Sequence, residues 1–183
     1  ACKRSVLLRR PFSFADLTVE QDRTTAELLY CVLGPASVRL SAVAAGDSLS
    51  VVGPLGKGFR VPPDKQTALL VVGGMGAPPI RLMAQFLKAE YPGIKAVAFV
   101  GARNVASLPF EGHFEQVSRE VDFFIPAFAR FGIPSAVATD DGSAGSRGFV
   151  TERLARWLDE QKDGSPKDTV IYACGPEPML ATV

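Results

Sequence analysis

Cysteine and histidine are scarce in these 183 residues, which contain three cysteines and one histidine. Cys2, Cys31 and Cys174 lie far apart and form no C-x-x-C pair, so the sequence supports neither a disulfide framework nor a cysteine-rich metal site. His113 cannot make a histidine-rich metal site alone. We therefore predict no metal ligands here, and reduced thiols favour a cytoplasmic protein.

Long apolar runs are also missing. Residues 67–72 and 96–100 have the length of β-strands, far below the roughly 18–20 residues that span a bilayer. No apolar segment after a basic start marks a signal peptide. A net charge of +1 favours neither a nucleic-acid nor a membrane partner, and we expect neither. The chain starts at Ala1 without methionine and ends inside a predicted helix, so we expect a fragment of a longer protein.

Glycine and proline, by contrast, are plentiful, with 17 and 14 residues. In the first third of the chain they separate short runs of β-type residues. The predicted strands of this part are residues 5–14, 25–33, 38–43 and 48–52. Strands spaced by such turns indicate an antiparallel sheet or barrel, and Pro62-Pro63 cannot continue a strand ladder. We predict an incomplete antiparallel β-barrel domain over residues 1–62, followed by a linker.

The pattern changes in residues 63–183, where strands and helices alternate. Continuous apolar runs predict buried parallel strands at residues 67–72, 95–100, 135–139 and 169–173. Apolar periodicity and capping residues predict helices at residues 80–90, within 114–131, from Thr151 through 158, and from Pro176. This alternation predicts an α/β domain with a doubly wound parallel sheet.

A glycine-rich loop follows the first of these parallel strands and opens a helix. Its residues are Gly73, Gly74, Met75, Gly76 and Pro79. Glycines let the backbone approach a phosphate, and a helix N-terminus supplies free N–H groups, so the loop suits a dinucleotide pyrophosphate. The spacing is not G-x-G-x-x-G, and a plain strand-to-helix turn is the alternative.

Three further loops follow predicted strands of the second domain. Arg103 stands where a guanidinium would meet a phosphate or an adenine, or would simply be solvated. Asp140 and Asp141 suit the hydroxyls of a ribose, or a simple turn. Cys174-Gly175-Pro176 lies at the strand end where open α/β sheets bind ligands, with a small buried thiol as the alternative interpretation of Cys174.

Two segments of the first domain combine groups that recognise phosphates and flat rings. Arg10-Pro11-Phe12-Ser13 offers a guanidinium, an aromatic ring and a hydroxyl, although a strand with a basic end has the same composition. Gly34, Ala36 and Ser37 lie in a turn whose backbone N–H groups and hydroxyl would suit phosphate.

Taken in order, five motifs resemble the ferredoxin–NADP reductase superfamily and, more closely, the electron-transfer subunits of two-subunit, NAD-linked dihydroorotate dehydrogenases. The motifs are RRPFS at residues 9–13, GPLGKGF at 53–59, VVGGMGAPPI at 71–80, TDDGSAGSRGFVT at 139–151 and ACGPEPML at 173–180. The resemblance implies an FAD-binding barrel followed by an NAD-binding domain. It also implies electron transfer between NAD(H), FAD and a 2Fe–2S cluster, and a catalytic dehydrogenase subunit as partner that oxidises dihydroorotate to orotate in pyrimidine biosynthesis.

The resemblance also implies roles for individual residues. Arg10 would hold the FAD phosphates, Phe12 and Ser13 would line the isoalloxazine, and the turn from Gly34 to Ser37 would meet the second flavin phosphate. Ala36 replaces the usual second glycine of that turn, which must therefore avoid positive φ or bear strain. The loop at residues 73–79 would hold the NAD pyrophosphate, and residues 174–176 would lie beside the nicotinamide.

Several alternatives remain open. Hydride transfer needs no side-chain general base, so we assign no catalytic residue. Three scattered cysteines cannot supply the four thiolates of a 2Fe–2S cluster, which would need a further C-terminal segment. Arg103 without a second nearby cation favours NAD over NADP. The rival hypotheses are three. The chain would belong to a related ferredoxin, sulfide or transhydrogenase reductase subunit, to a flavin reductase that acts alone, or to an interaction module without redox function.

Overall fold

The computed structural model of the chain describes residues 8–110, 125–161 and 166–183. Its main element is a five-stranded parallel sheet, and a two-stranded antiparallel sheet precedes it. The strands are β1 (Phe14–Val19), β2 (Thr24–Leu28), β3 (Thr67–Gly73), β4 (Lys95–Ala102), β5 (Ser135–Thr139), β6 (Ser146–Arg147) and β7 (Thr169–Cys174). The α-helices are α1 (Pro35–Ser41), α2 (Ala77–Glu90), α3 (Pro126–Ala129), α4 (Val150–Glu160) and α5 (Glu177–Leu180).

The parallel sheet has the order β6-β5-β4-β3-β7, with helices on both faces. Alternate residues of β3 point to opposite faces, so Leu70 packs with α2 and α3 while Leu69 packs with α4. The four predicted parallel strands and the helix at residues 80–90 all form. The predicted combination of an antiparallel β domain with a doubly wound α/β domain is confirmed.

One predicted helix start differs from the structure. α4 begins at Val150 with Phe149 as N-cap, because the Glu152 carboxylate accepts the Phe149 N–H at 3.3 Å, so Thr151 is not the cap. In the predicted helical stretch at residues 114–131, Pro126 begins α3, because proline suits the first helical position. Residues 114–124 of that stretch lie outside the described residues, so the predicted break at Pro126 stays a prediction.

The first region departs further from prediction. The first predicted strand is displaced, because β1 begins at Phe14, and the second ends earlier, at Leu28. The strand predicted at residues 38–43 is wrong, because α1 occupies Pro35–Ser41. Residues 48–52 form no strand either. The strand preference of valine reflects side-chain packing on a pleated sheet. Val38 and Val51 are 55% and 74% exposed, so little packing stabilises an extended conformation there.

The two regions touch at several places among the described residues, including contacts at β1 and at Arg60. β1 lies along α2, where the side-chain amide of Gln85 donates to the Leu17 carbonyl at 2.6 Å. Farther along the chain, the Tyr172 hydroxyl donates to the Arg60 carbonyl at 2.9 Å, and the Tyr172 ring meets Phe59 edge-on. None of the helices among the described residues has the length and apolar composition that a membrane crossing would require.

Candidate functional site

The carboxyl ends of β3 and β7 lie side by side in the sheet, paired up to Val72 and Cys174. The chain leaves β3 toward α2, which packs on one face of the sheet. It leaves β7 toward α5, whose Met179 packs with the buried residues on the opposite face of the sheet, among them Leu69 and Leu154. A point where neighbouring strands send their connections to opposite faces opens a crevice, and ligands of α/β proteins bind there.

The two loops at this point touch backbone to backbone. A Cβ on Gly76 would lie 1.9 Å from the carbonyl oxygen of Cys174. One on Gly73 would lie 2.6 Å from the sulfur of Met179, and one on Gly175 would lie 2.9 Å from the Cα of Gly73. These three glycines are therefore required by the contact between the loops, a reason that the sequence alone did not supply.

Gly74 differs from these glycines. Its φ is +50°, and a Cβ there would have no neighbour within 4 Å, so the backbone is open to an approaching ligand. Met75 beside it is 40% exposed, and Pro79 is half-buried in the first turn of α2. Neither Pro78 nor Pro79 has a backbone N–H, so the N–H donors around the start of α2 come from Gly76 and Ala77.

The loops after β4 and β5 also meet. The Asp141 carboxylate accepts the backbone N–H of Ser143 at 2.9 Å and its hydroxyl at 2.6 Å, and these hydrogen bonds hold the pKa of Asp141 below its ordinary value. The Ser143 hydroxyl in turn accepts the Val105 N–H at 2.8 Å. Asp141 therefore shapes a turn. Arg103 and Asp140 are exposed, and among the described residues their side chains make no hydrogen bond or ion pair.

Cys174 ends β7 and is half-buried beside exposed Pro176. Burial raises the pKa of the Cys174 thiol above its ordinary value. The thiol is therefore neutral near pH 7, when it is a weak hydrogen-bond partner and a poor nucleophile. This state fits a residue that contacts a ligand without attacking it.

Phe149 is a site residue that the sequence reasoning missed. Its side chain is 61% exposed, although it stands at the start of α4 among the strand-end loops. The next residue, Val150, packs so closely over β4 that a Cβ on Gly101 would lie 2.7 Å from it. An exposed aromatic ring at a ligand-binding edge offers a stacking surface for a flat base. The aromatic residue directly after Gly148 in the fourth motif was the available signal.

The proposed flavin segment precedes β1 as an exposed stretch. Arg10, Pro11, Phe12 and Ser13 are all exposed, and the Phe12 ring meets Tyr30 edge-on at 5.8 Å. The neighbouring Arg9 is occupied, since its guanidinium donates to the carbonyl and hydroxyl oxygens of Ser50 at 2.7 and 2.9 Å. The Arg10 side chain has no such partner among the described residues.

The turn at residues 34–37 is half-buried in part and already hydrogen-bonded. The Ser37 hydroxyl accepts the N–H groups of Leu33 and Gly34 at 2.9 and 3.1 Å, and so it caps α1. Ala36 lies within that helix, and the described residues include no non-glycine residue with positive φ. Ala36 therefore causes no backbone strain, because a helical turn replaces the glycine-dependent one.

Comparison with known proteins agrees with this geometry. The model of the family "oxidoreductase NAD-binding domain" matches residues 70–183. The chain is 36% identical over 183 residues to the electron transfer subunit of dihydroorotate dehydrogenase B (NAD(+)) of Geobacillus kaustophilus, covering 98% of the chain and 61% of the relative. The corresponding subunit of Listeria monocytogenes is 33% identical, with 99% and 62% covered. The chain thus spans about three fifths of these relatives.

Two solved structures resemble this chain in fold. A NADH-dependent reduced ferredoxin–NADP oxidoreductase, described in work on flavin-based electron bifurcation, is 25% identical with a TM-score of 0.58, covering 94% of the chain and 59% of that structure. An Amycolatopsis cytochrome P450 reductase, 22% identical with a TM-score of 0.66 and 97% and 51% covered, shares the fold. The resemblance predicted from the five motifs is confirmed. The chain belongs to the oxidoreductase NAD-binding domain family.

Proposed function

We propose that this chain is the cofactor-binding core of a cytoplasmic electron-transfer subunit that moves electrons between NAD(H) and FAD. In this proposal it serves the oxidation of dihydroorotate to orotate in pyrimidine biosynthesis, together with a catalytic dehydrogenase subunit. The observation that carries the proposal is the crevice between β3 and β7, where Gly74 leaves the backbone open beside the neutral thiol of Cys174. The identity to dihydroorotate dehydrogenase electron transfer subunits along nearly the whole chain supports the assignment of the substrate.

The dinucleotide would bind across the carboxyl edge of the parallel sheet. The pyrophosphate would lie against Gly74, within reach of the N–H groups of Gly76 and Ala77 and of the positive end of α2. The adenine would stack on Phe149, with Arg103 and Asp140 available for its phosphate or ribose. The sequence places no second cation next to Arg103, which supports NAD over NADP as the dinucleotide.

The nicotinamide would lie beside Cys174, Gly175 and Pro176. A neutral thiol there excludes water and adds no charge next to a ring whose own charge changes in the reaction. Hydride transfer between a nicotinamide and a flavin would need no side-chain base, so the residues of this chain would only need to bind and orient the two cofactors.

The flavin would bind to the first region, and the residues present fit it. Arg10 carries a guanidinium without a partner among the described residues, while Phe12 and Ser13 are exposed next to it. When bound, FAD supplies both two-electron and one-electron chemistry, which a subunit that links NAD(H) to a single-electron carrier needs. Gly34, Ala36 and Ser37, at the start of α1, would also contribute to the flavin site. A domain boundary near residues 62–63 is part of this proposal.

A 2Fe–2S cluster does not fit the residues of this chain. Four thiolates hold such a cluster, and the sequence has three scattered cysteines. The described residues contain no group of three or more potential metal ligands. We therefore derive no step through a cluster, and onward electron transfer to the catalytic subunit would depend on thiolates that these 183 residues do not supply.

Anaerobic absorption spectroscopy of the purified protein tests the proposal. We expect a yellow protein whose flavin absorption is bleached by NADH, and bleached more slowly by NADPH. With the catalytic subunit added, and with the cluster thiolates supplied by a longer chain, dihydroorotate should bleach the flavin as well. A colourless protein, or flavin absorption that NADH leaves unchanged, would contradict the redox function. Fast turnover on small acceptors, with no response to dihydroorotate when the catalytic subunit and the cluster thiolates are both present, would contradict the substrate assignment.

A further inference from the structure

Four charged side chains join the hairpin β1–β2 to the α/β domain. The Arg81 guanidinium on α2 contacts Asp16 of β1 at 3.1 Å and Glu27 of β2 at 2.7 Å. Arg130, directly after α3, also donates to the Asp16 carboxylate. Only 13% of the Asp16 side chain and 15% of the Arg81 side chain are exposed. We call Asp16, Glu27, Arg81 and Arg130 the hairpin cluster.

The backbone of β1 is fixed to the same face of α2. Gln85, one helical turn beyond Arg81, accepts the Leu17 N–H at 3.2 Å and donates to the Leu17 carbonyl at 2.6 Å. One strand of the hairpin is therefore held through a side chain at Asp16 and through its backbone at Leu17. Residues four apart share a helix face, so both contacts act in one direction.

Arg81 also restricts rotation of the hairpin. Its guanidinium is planar and rigid: both terminal nitrogens donate to the Glu27 carboxylate on β2, and Nη2 also donates to Asp16 on β1. One contact would leave the hairpin free to rotate about α2. Two contacts from one planar group, with Gln85 beside them, fix its angle.

Two residues of the hairpin cluster closely follow the two proposed cofactor segments in the chain. Asp16 follows Ser13 of the proposed flavin segment by three residues, and Arg81 follows Pro79 of the dinucleotide loop by two. An ion pair that is nearly buried adds little net stability compared with apolar residues in its place. It nevertheless favours one relative position of its partners, because any displacement leaves a charge unpaired. Hydride transfer needs such geometry, since a misplacement of about 1 Å can cost roughly a hundredfold in rate.

We propose that Asp16 and Arg81 are positioning residues, which hold the flavin segment at the distance and angle from the dinucleotide loop that hydride transfer requires. This inference rests on the proposed function. It assigns the pair no contact with either cofactor. Their loss should therefore lower the rate of hydride transfer more than the affinity for either cofactor.

The test compares D16N, D16E and E27Q with a matched control, E20Q, in the intact protein. Glu20 also pairs with an arginine, Arg23, but both side chains of that pair are exposed, at 59% and 73%. Stopped-flow reduction of the flavin at saturating NADH gives the transfer rate, and titration gives the NADH dissociation constant. Amide hydrogen exchange of β1 in the cofactor-free protein reports the docking of the hairpin independently of activity.

We expect D16N to lower the rate of flavin reduction about ten- to a hundredfold while the NADH dissociation constant changes less than about threefold. D16E keeps the carboxylate and should recover most of the rate. E27Q removes one of the two strand contacts of Arg81 and should give a smaller loss. Exchange of β1 should accelerate in D16N and E27Q, whereas E20Q should match the wild type in every readout.

If D16N fails to fold, E27Q decides the question, because Glu27 is half-exposed and its loss leaves Asp16 paired with both arginines. Wild-type rates of flavin reduction in E27Q and in any folded D16N would overturn the proposal, and so would an equal loss of rate in E20Q. A wild-type protein that binds FAD and NADH but shows no reduction would instead contradict the proposed function. The exchange of β1 would then still decide whether the hairpin cluster orients the hairpin.

Discussion

The α/β domain and the region before it are held by different forces. Apart from Ala15, every buried apolar residue of the described chain lies at Ala68 or beyond. β3 is inaccessible from Ala68 through Val72, whereas Leu33 and Leu55 in the first region are 90% and 80% exposed. The α/β domain therefore has a hydrophobic core of its own. The first region buries little apolar surface, and its contacts with that domain combine polar groups on α2 and Arg130 with the partly buried Leu29 and Val61.

Because the two regions are held differently, the two parts of the candidate site should respond differently to substitution. The proposed dinucleotide loop at residues 73–79 is built on buried strands, so its geometry follows from the core. The flavin segment at residues 10–13 is exposed, and the hairpin cluster and Gln85 hold the strand that follows it. Substitutions in the α/β domain should therefore lower global stability, while those in the first region should change orientation and binding.

A matched pair of phenylalanines gives the largest expected difference. Phe99 on β4 is fully buried against Trp157, and Phe12 is 40% exposed. We expect F99A to lower the free energy of unfolding by about 4 kcal/mol. F12A should lower it by less than about 1 kcal/mol in flavin-free protein, because little apolar surface leaves the core. Urea unfolding followed by circular dichroism measures both, and similar losses would contradict the comparison.

The contact between the two loops gives the next effect. G76A places a methyl group against the backbone of Cys174, so we expect a loss of about 3 kcal/mol in unfolding free energy, together with weaker NADH binding. Gly93 has no atom within 4 Å of its would-be Cβ, which makes G93A the control, with a change of about 0.5 kcal/mol or less. Stability of G76A equal to that of G93A would show that the loops do not touch as described.

Lowering the pH should detach the first region from α2 before it unfolds the α/β domain. Burial alone would raise the pKa of Asp16, but the hydrogen bond from Arg130 and the charges of Arg130 and Arg81 outweigh it, and the pKa lies below its ordinary value of 3.8. Glu27 is the other acidic group facing the arginines. A lowered pKa in the folded state means that Asp16 stabilises the fold above the ordinary value and loses this contribution as the pH falls.

D16N should therefore be about 2 kcal/mol less stable than wild type near neutral pH, and this difference should shrink to zero as the pH falls below the pKa of Asp16. Urea unfolding of both proteins between pH 7 and pH 2 measures the difference. A difference that stays constant over this range would show that the Asp16 charge contributes nothing to the docking of the hairpin.

Phe149 gives the smallest effect, confined to ligand binding. We expect F149L to weaken NADH binding by about 1 kcal/mol, because an aliphatic side chain stacks poorly on adenine. Unfolding should not change, since the ring is 61% exposed. Phe86 on α2 is 42% exposed and packs on Tyr91 away from the strand-end loops, so F86L serves as the control. Equal affinity of F149L and F86L for NADH would remove Phe149 from the site.

The same comparison explains what the sequence could predict. β3, β4, β5 and β7 were predictable because a strand buried on both faces reads as a continuous apolar run. α1 was not, because Val38 and Leu40 favour a strand locally, whereas Pro35 and the Ser37 hydroxyl start a helix.

The glycine loop shows the same limit within the candidate site. Its position after β3 could be inferred from residue order. Its packing could not, since Gly76 meets Cys174 and Arg81 meets Asp16 across long stretches of chain. Contacts between distant residues leave no periodic pattern in a single sequence.

Amide hydrogen exchange with and without saturating NADH tests the central claim most directly, namely that the dinucleotide binds at the carboxyl edge of the parallel sheet. We predict that NADH slows exchange at residues 73–77 and 174–175 and in the first turn of α4. The groove at the opposite edge, beside Tyr91 and Phe131, should be unchanged. Protection of that groove, or NADH binding without protection of the two glycine loops, would contradict the account.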